Sequence, residues 1–494
     1  MNLNNFTMDS ILSLHEKLVN KDTTSEELVS ESLKKAEKYT DLNIFNTLVT
    51  ESLEYSKKLD TSSDYRHLLS GIPMSVKDVF VTKDIRTTAS SKALGNYIPQ
   101  YNSTTFSRLI EKDAILIGKN NSDPFAFGGS GENSGFGPTK NPLCINKVPG
   151  GSSSGSAASV AAGINLYSIG SDTGGSIRQP AALCGVVGLK ATYGKNSRYG
   201  LISMASSFDS AGVIANNVEN AYIVQRSIEG VDPLDGTTKN IPETKSLTYE
   251  DVRKVLDKSI KGKKIGLPKE YFIDGMDSDV KQKVMESAKK LESLGAVIEE
   301  VSLPHTKYAL AVYYVLVPSE ISSNMARYDG IRYGENLGFD KELEDFYLDN
   351  RNLFEDEVKR RIVIGTYTLA KGYSDKYYNT AMKVRSLIKK DFDEVYKKVD
   401  ALITPISPTC AWDLGQKIYD PLEMYLADIF TVSANCAGIP GISIPCGFKS
   451  SMSKFGVDKD GIDCMELPIG LQILGPELSE DLICNIAYQY EQNK

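Results

Sequence analysis

Histidine is scarce in this sequence: His15, His67 and His305 are the only three in 494 residues. A serine nucleophile here would therefore be activated most simply by a lysine. The seven cysteines (Cys144, Cys184, Cys410, Cys436, Cys446, Cys464 and Cys484) are odd in number, dispersed and without a CxxC pair. Neither a zinc site nor a disulfide framework fits that pattern. Most are expected to be small buried residues in a reducing compartment. No apolar run approaches the roughly 18 residues of a membrane span. The opening residues MNLNNFTMDS lack the basic and apolar stretches of a secretory signal, so a cytoplasmic location is expected. Basic charge is not in excess either. A net charge of −8 and a pI near 5.3 argue against a broad basic face for nucleic acid, though not against a local patch. Internal repeats and low-complexity linkers are missing, which favours one large α/β body over two domains.

Glycine, by contrast, is abundant and concentrated. Fourteen of the 39 glycines fall between Gly128 and Gly188, around two clusters, GGSSSGS and GSDTGGSIR. Glycines this dense allow a loop to aim several backbone amides at one point.

The flanking pattern predicts the frame. Ile11, Leu12, Leu14 and Leu18 recur at helical spacing within Asp9 to Asn20. Thr24 with Glu27 forms a capping box opening a second helix. Residues 69–80 and 114–118 read as strand and turn, and Ser156 to Gly163 as a small-residue helix fit for tight burial. Residues 231–262 form a polar excursion with a helix near Tyr249 to Ile260. Lys264 to Leu267, Asp279 to Leu294 and Ala296 to Val301 read as a βαβ unit, so a large mixed sheet flanked by helices is expected. Long helices follow over 358–398, then short apolar strands to the end. By this reading residues 1–60 are a helical segment packed on a domain spanning 61–494.

In GSDTGGSIR an apolar stretch, Ile164 to Ile169, runs into the Gly174-Gly175 pair. Ser176 then precedes a helix with Pro180 in its first turn, where a missing amide costs nothing. The amides of Thr173, Gly174, Gly175 and Ser176 could converge on an oxyanion, and one such donor is worth ~2.7–4 kcal/mol of barrier. A phosphate-binding loop or a plain turn would use the same glycines. Ser152, in the other cluster, and Lys77, in GIPMSVKDVF, tip the balance toward acyl transfer. A lysine with an ordinary pKa of ~10.4 is protonated at neutral pH, so Lys77 must be desolvated to act as a base. Its neighbours Ile72, Val76, Val79 and Phe80 supply apolar surroundings. A surface lysine paired with Asp78 is the competing reading. GSSSG also matches the G-x-S-x-G nucleophile elbow, but no buried strand precedes it and only His305 follows.

Lys77, GGSSSGSAASVAAG and GSDTGGSIRQPAALCGVVGLK resemble the amidase signature family in order and spacing. The resemblance implies an α/β amidase-signature fold, with Lys77, Ser152 and nucleophilic Ser176 as the triad, and a cis peptide at Gly151–Ser152. Strings such as GENSGFGPTKNP, SRYGLISMASSFDSAG, EVKRRIVIGTYTLA and LPIGLQILGP extend the likeness over nearly the whole chain. They resemble one branch of the family, the glutamine-hydrolysing subunits of tRNA-dependent amidotransferases. That likeness implies a heterotrimer. A B subunit uses the ammonia to amidate mischarged Glu-tRNA(Gln), with Asp-tRNA(Asn) a further candidate, and a small C subunit braces the pair. ATP and magnesium are expected on the partner, in keeping with the lack of a GxxxxGK[ST] loop; no cofactor or metal is expected in this chain.

The same likeness implies a glutamine pocket of Arg361, Asp428 and Tyr313. An arginine suits the α-carboxylate, and an acid the α-ammonium, of free glutamine. Arg360 is a rival to Arg361, and Tyr314 to Tyr313. Ser154 and Ser122-Asp123-Pro124-Phe125 depart from the family's usual glycine and Met-Asp-Glu-Phe. The alternatives are a free-standing amidase for another small amide, which needs neither pocket charge, and a non-catalytic assembly or tRNA-docking subunit, which needs no triad.

Overall fold

The structure, a computed structural model, describes residues 10–244, 246–417, 420–449, 456–457, 463–464 and 466–493. The expectations for MNLNNFTMD lie outside them. In chain order the strands are β1 (Phe45–Leu48), β2 (Pro73–Lys77), β3 (Ile115–Asn120), β4 (Tyr167–Asp172), β5 (Val187–Lys190), β6 (Ser210–Ala215), β7 (Lys264–Pro268), β8 (Val297–Val301), β9 (Ala401–Pro405), β10 (Gly441–Phe448), β11 (Gly456–Val457), β12 (Asp463–Cys464) and β13 (Pro468–Leu474). Eleven of them form one sheet in the order β1-β3-β2-β4-β6-β5-β10-β13-β9-β7-β8, with β11 and β12 paired apart. The sheet is mixed. β3, β2 and β4 run parallel at one end and β9, β7 and β8 at the other, while the middle is antiparallel.

The N-terminal helices form as their caps predict. Ser10 caps Ile11–Asn20, and the Thr24–Glu27 capping box opens Ser25–Lys38. Val29, Leu33 and Ala36 pack on Ile115, Ile117 and Ala158, so this segment leans on the β3 end of the sheet. The helix between β7 and β8 spans Ser278–Ser293, closing the expected βαβ unit. The helix of the polar excursion is Tyr249–Leu256.

Two packing details position the site. The small-residue helix, Ser154–Ala161, is buried along its whole length. Its Gly155 lies so close to the strand-end loop that a methyl there would come within 2.6 Å of the Asn121 carbonyl. The helices Ala309–Met325 and Asp356–Leu369 pack together where Gly365 backs onto the Pro318 carbonyl. With no side chain at Gly365 the two backbones touch, and Arg361, one turn earlier on the same face, is drawn to the tyrosines of the facing helix.

Cys184, Cys410, Cys436 and Cys484 are buried free thiols as expected. Cys144 is disulfide-bonded, which the dispersed spacing did not signal. Among the described residues no helix is long and apolar enough to cross a membrane.

Candidate active site

Parallel pairing of β2 with β4, in the register Ser75 opposite Ser168 and Val76 opposite Ile169, sets the carboxyl ends of the two strands side by side. Lys77 ends β2 and Asp172 ends β4. Such strand ends are where open α/β sheets bind ligands.

Lys77 is fully buried, which rules out the surface reading. Asp78 pairs instead with Lys119, at 3.3 Å. Lys77 Nζ lies 2.7 Å from Ser152 Oγ and 3.0 Å from Ser171 Oγ. Burial brings its pKa down to about 7, against the opposing pull of the Asp123, Asp172 and Asp209 carboxylates. Ser152 follows the cis Gly151–Ser152 peptide. The Gly151 amide is held by Gln179 Oε1 at 2.9 Å, and Gln179 Nε2 donates to the Gly129 carbonyl at 2.8 Å. Ser153, the serine of the rejected elbow, turns inward and donates to the Ser171 carbonyl at 3.1 Å.

Ser176 sits two residues before the helix Arg178–Cys184, in which Pro180 is the third residue. It is 8% exposed, where Ser152 and Ser153 are sealed. The Ser153 amide donates to the Ser176 carbonyl at 3.2 Å, stitching the two glycine-rich clusters together. No hydrogen bond joins the Ser176 hydroxyl to Ser152 or Lys77. The expected relay is thus closed between Lys77 and Ser152 and open between Ser152 and Ser176.

The amides ahead of Ser176 divide in two. The Gly175 amide is already taken by Asp172 Oδ1 at 2.9 Å, and that of Ile177 by Asp172 Oδ2 at 3.2 Å. Those of Thr173, Gly174 and Ser176 donate to no acceptor among the described residues. Burial would raise the Asp172 carboxyl, but the Arg178 guanidinium at 3.0 Å reverses this and holds it below the usual carboxylate range. Thr173 Oγ1 donates to Asp209 at 2.7 Å.

A second cluster faces this loop. A side chain at Gly174 would come within 2.6 Å of Tyr313 Oη, so the hydroxyl end of Tyr313 abuts the loop. The Tyr314 hydroxyl donates to Asp428 Oδ2 at 3.0 Å, and Gly129 flanks the same carboxylate. Arg361 is 3% exposed. It packs over the stacked rings of Tyr314 and Tyr425, at 5.5 and 5.6 Å from their centroids. Its Nε donates to Glu357 Oε1 at 2.7 Å. Arg360, the rival, has a side chain 40% exposed. Burial of Asp428 lifts its carboxyl to about 7, moderated by the Tyr314 hydrogen bond and the Arg361 charge. Arg361, Asp428, Tyr313 and Tyr314 thus gather beside the Ser176 loop.

The departures sit in the loop walls. Ser154 Oγ donates to Thr139 Oγ1 at 3.2 Å. Pro124 opens a turn in which Phe125 and Ala126 take φ of +50° and +68°. Asp123 keeps its carboxylate, which accepts from the Gly131 amide at 3.0 Å.

Sequence reasoning missed Ser171, Asp209, Glu357 and Thr431. Only Glu357 carried a local signal, an acid four residues before Arg361 on one helix.

A lysine at the end of a buried strand, hydrogen-bonded to a buried serine of one glycine-rich loop and beside a second, is the arrangement of an amidase. A family model described as Amidase matches residues 27–484, and the chain belongs to that family. It is 49% identical over 489 residues to the A subunit of the Bacillus pumilus glutamyl-tRNA(Gln) amidotransferase, covering 98% of this chain and 96% of that one. To the counterpart of the same name from Carboxydothermus hydrogenoformans it is 52% identical over 426 residues, 86% of this chain and 84% of that. Among solved structures, the A subunit of the Thermotoga maritima glutamyl-tRNA(Gln) amidotransferase superposes with a TM-score of 0.79 at 36% identity, covering 99% and 96% of the two chains. The peptide amidase of Stenotrophomonas maltophilia gives a TM-score of 0.79 at 28% identity, covering 99% and 97%.

Proposed function

We propose that this chain is the glutaminase subunit of a tRNA-dependent amidotransferase. The observation that carries the reading is the 2.7 Å approach of Lys77 Nζ to Ser152 Oγ at the end of a buried strand, beside a loop with undonated amides. Ser176 Oγ attacks the side-chain amide carbon of glutamine. Ser152 takes the Ser176 proton and passes its own to neutral Lys77. The amides of the Thr173–Ser176 loop receive the developing oxyanion, with Gly175 contributing only if Asp172 releases it. The tetrahedral adduct collapses, the C–N bond breaks, and the relay returns the proton to the departing ammonia. Water then adds to the glutamyl ester, Lys77 again taking the proton through Ser152. Glutamate leaves and Ser176 recovers its hydrogen.

The pocket charges support glutamine over a simple amide. Arg361 takes the α-carboxylate, Asp428 the α-ammonium, and Tyr313 lies nearest the amide. Released ammonia serves a B subunit that holds ATP and magnesium and amidates Glu-tRNA(Gln), with Asp-tRNA(Asn) a second acceptor, while a C subunit braces the heterotrimer in the cytoplasm. The amidase domain is read as residues 61–494, with the N-terminal segment 1–60 packed on it and contributing strand β1 to the edge of the same sheet.

The test is ammonia release from glutamine by the chain assembled with its B and C subunits, for wild type and Ser176→Ala. Hydrolysis lost in the variant, with ammonium-driven tRNA amidation retained, supports the reading. A complex that cleaves simple amides but not glutamine, or a Ser176→Ala variant that still releases ammonia, overturns it.

A further inference from the structure

The Ser176 loop contains two adjacent glycines, the residues with the greatest backbone freedom, yet the peptide between them is held at both ends. Its amide, on Gly175, donates to Asp172 Oδ1 at 2.9 Å. Its carbonyl, on Gly174, points the opposite way, as a trans peptide requires, and accepts from Thr431 Oγ1 at 2.5 Å. Thr431 is fully buried. It also lies against the neighbouring α-carbon: a methyl on Gly175 would come within 2.7 Å of Thr431 Cβ. Gly175 itself has a φ of +133°, so a side chain cannot hold this turn and an outside contact must. The peptides on either side carry the Gly174 and Ser176 amides that have no acceptor, and their orientation follows from that of the clamped one.

Thr431 belongs to the segment that carries Asp428. Its amide and its hydroxyl both lie 3.0 Å from the Asp428 carbonyl, and its own carbonyl accepts from Arg178 at 3.2 Å. We propose that Thr431 is a positioning residue for the acyl-transfer step: its hydroxyl fixes the Gly174 carbonyl so that the adjacent free amides face the oxyanion. Thr431 touches no reacting atom and acts through the loop. Asp172 clamps the peptide from behind by a charged contact, and Thr431 completes the clamp from the pocket side. The inference rests on Ser176 being the nucleophile.

Thr431→Val keeps the shape and the branched methyl while removing the hydroxyl; Thr431→Ser keeps the hydroxyl and loses the methyl. In the assembled complex, Thr431→Val is expected to lower kcat for glutamine at least tenfold with KM changed less than threefold, and Thr431→Ser to stay within threefold of wild type in kcat. Labelling of Ser176 by a small sulfonyl fluoride, followed by mass spectrometry, is expected to slow at least tenfold in Thr431→Val alone. A kcat near wild type in Thr431→Val overturns the proposal. So does a rise in KM alone, which would assign Thr431 to the glutamine pocket, and so does equal damage in both variants, which would make it a packing residue. Wild-type complex without glutaminase activity overturns the functional reading, and the ratio of labelling rates then decides the role of Thr431.

Discussion

Arg361 Nε donates to Glu357 Oε1 at 2.7 Å across one turn of their shared helix. The acid orients the guanidinium while leaving its outer nitrogens for a ligand, and Tyr425 adds a 3.3 Å bond to the same carboxylate oxygen. Arg361→Ala is therefore expected to weaken glutamine capture by about 2–5 kcal/mol, the cost of leaving a charged contact unpaired. Glu357→Gln is expected to cost about 1.5–3 kcal/mol, as one charge-assisted hydrogen bond. Arg360→Ala should change little. Steady-state KM for glutamine checks all three, and ammonium-driven amidation should persist in each, since it bypasses the pocket.

Acid should impair the enzyme through two groups that act on different constants. Lys77, lowered to about 7, must be neutral to accept a proton, so kcat is expected to fall as pH drops through about 7. Asp428, raised to about 7, must be ionised to hold an ammonium, so KM is expected to rise over the same range. Asp428→Asn should raise KM at every pH and remove its dependence while leaving the limb in kcat. Lys77→Arg should abolish turnover, because a guanidinium does not deprotonate. Profiles of kcat and KM from pH 5.5 to 9 separate the two; a kcat limb missing from wild type would remove Lys77 as the base.

Gly174→Ala should disable the loop. The added methyl would meet the Tyr313 ring, which is 3% exposed and cannot swing aside. Overpacking of this kind costs about 1–3 kcal/mol. A small drop in melting temperature with near-complete loss of glutaminase activity is expected.

Asp172→Asn should be costly for the fold as well. It leaves Arg178 buried without its counter-charge, at about 3–5 kcal/mol. The folded carboxyl is held below its ordinary value of about 3.9, so its contribution is complete above that value and is lost as pH falls through the lower, folded one. Urea unfolding of wild type should weaken with acid below about pH 4, and the variant should show less of that dependence.

Much of this arrangement was legible because it is local. The Thr24–Glu27 cap, the βαβ unit of β7 and β8, and the glycine clusters each announce themselves within a few dozen residues, and Lys77 stands out because histidine is nearly missing. What stayed hidden depends on distance along the chain. Asp172 taking the Gly175 amide is a three-residue contact, but nothing in GSDTGG says which amides stay free. Thr431 reaching Gly174 and Arg178 reaching Asn435 bridge separations of 257 residues each, and only the sheet order brings them together. The choice of Arg361 over Arg360 is set by the helix face that Gly365 presses against its neighbour, a fact of packing rather than of charge.

The sheet order also has a temporal side. Lys77 ends β2 and Ser176 follows β4, both in the first half of the chain, whereas Thr431 and Asp428 come far behind them. At about 5–20 residues per second on the ribosome, roughly 20–70 s separate the appearance of Lys77 from that of Thr431. Once Ser176 has followed Lys77, the emerging chain holds the proposed nucleophile but neither the far end of the loop clamp nor the proposed pocket acid. If the proposed roles of these residues hold, a ribosome-bound fragment is expected to be silent toward glutamine, with hydrolysis beginning only when the last third of the polypeptide has been made.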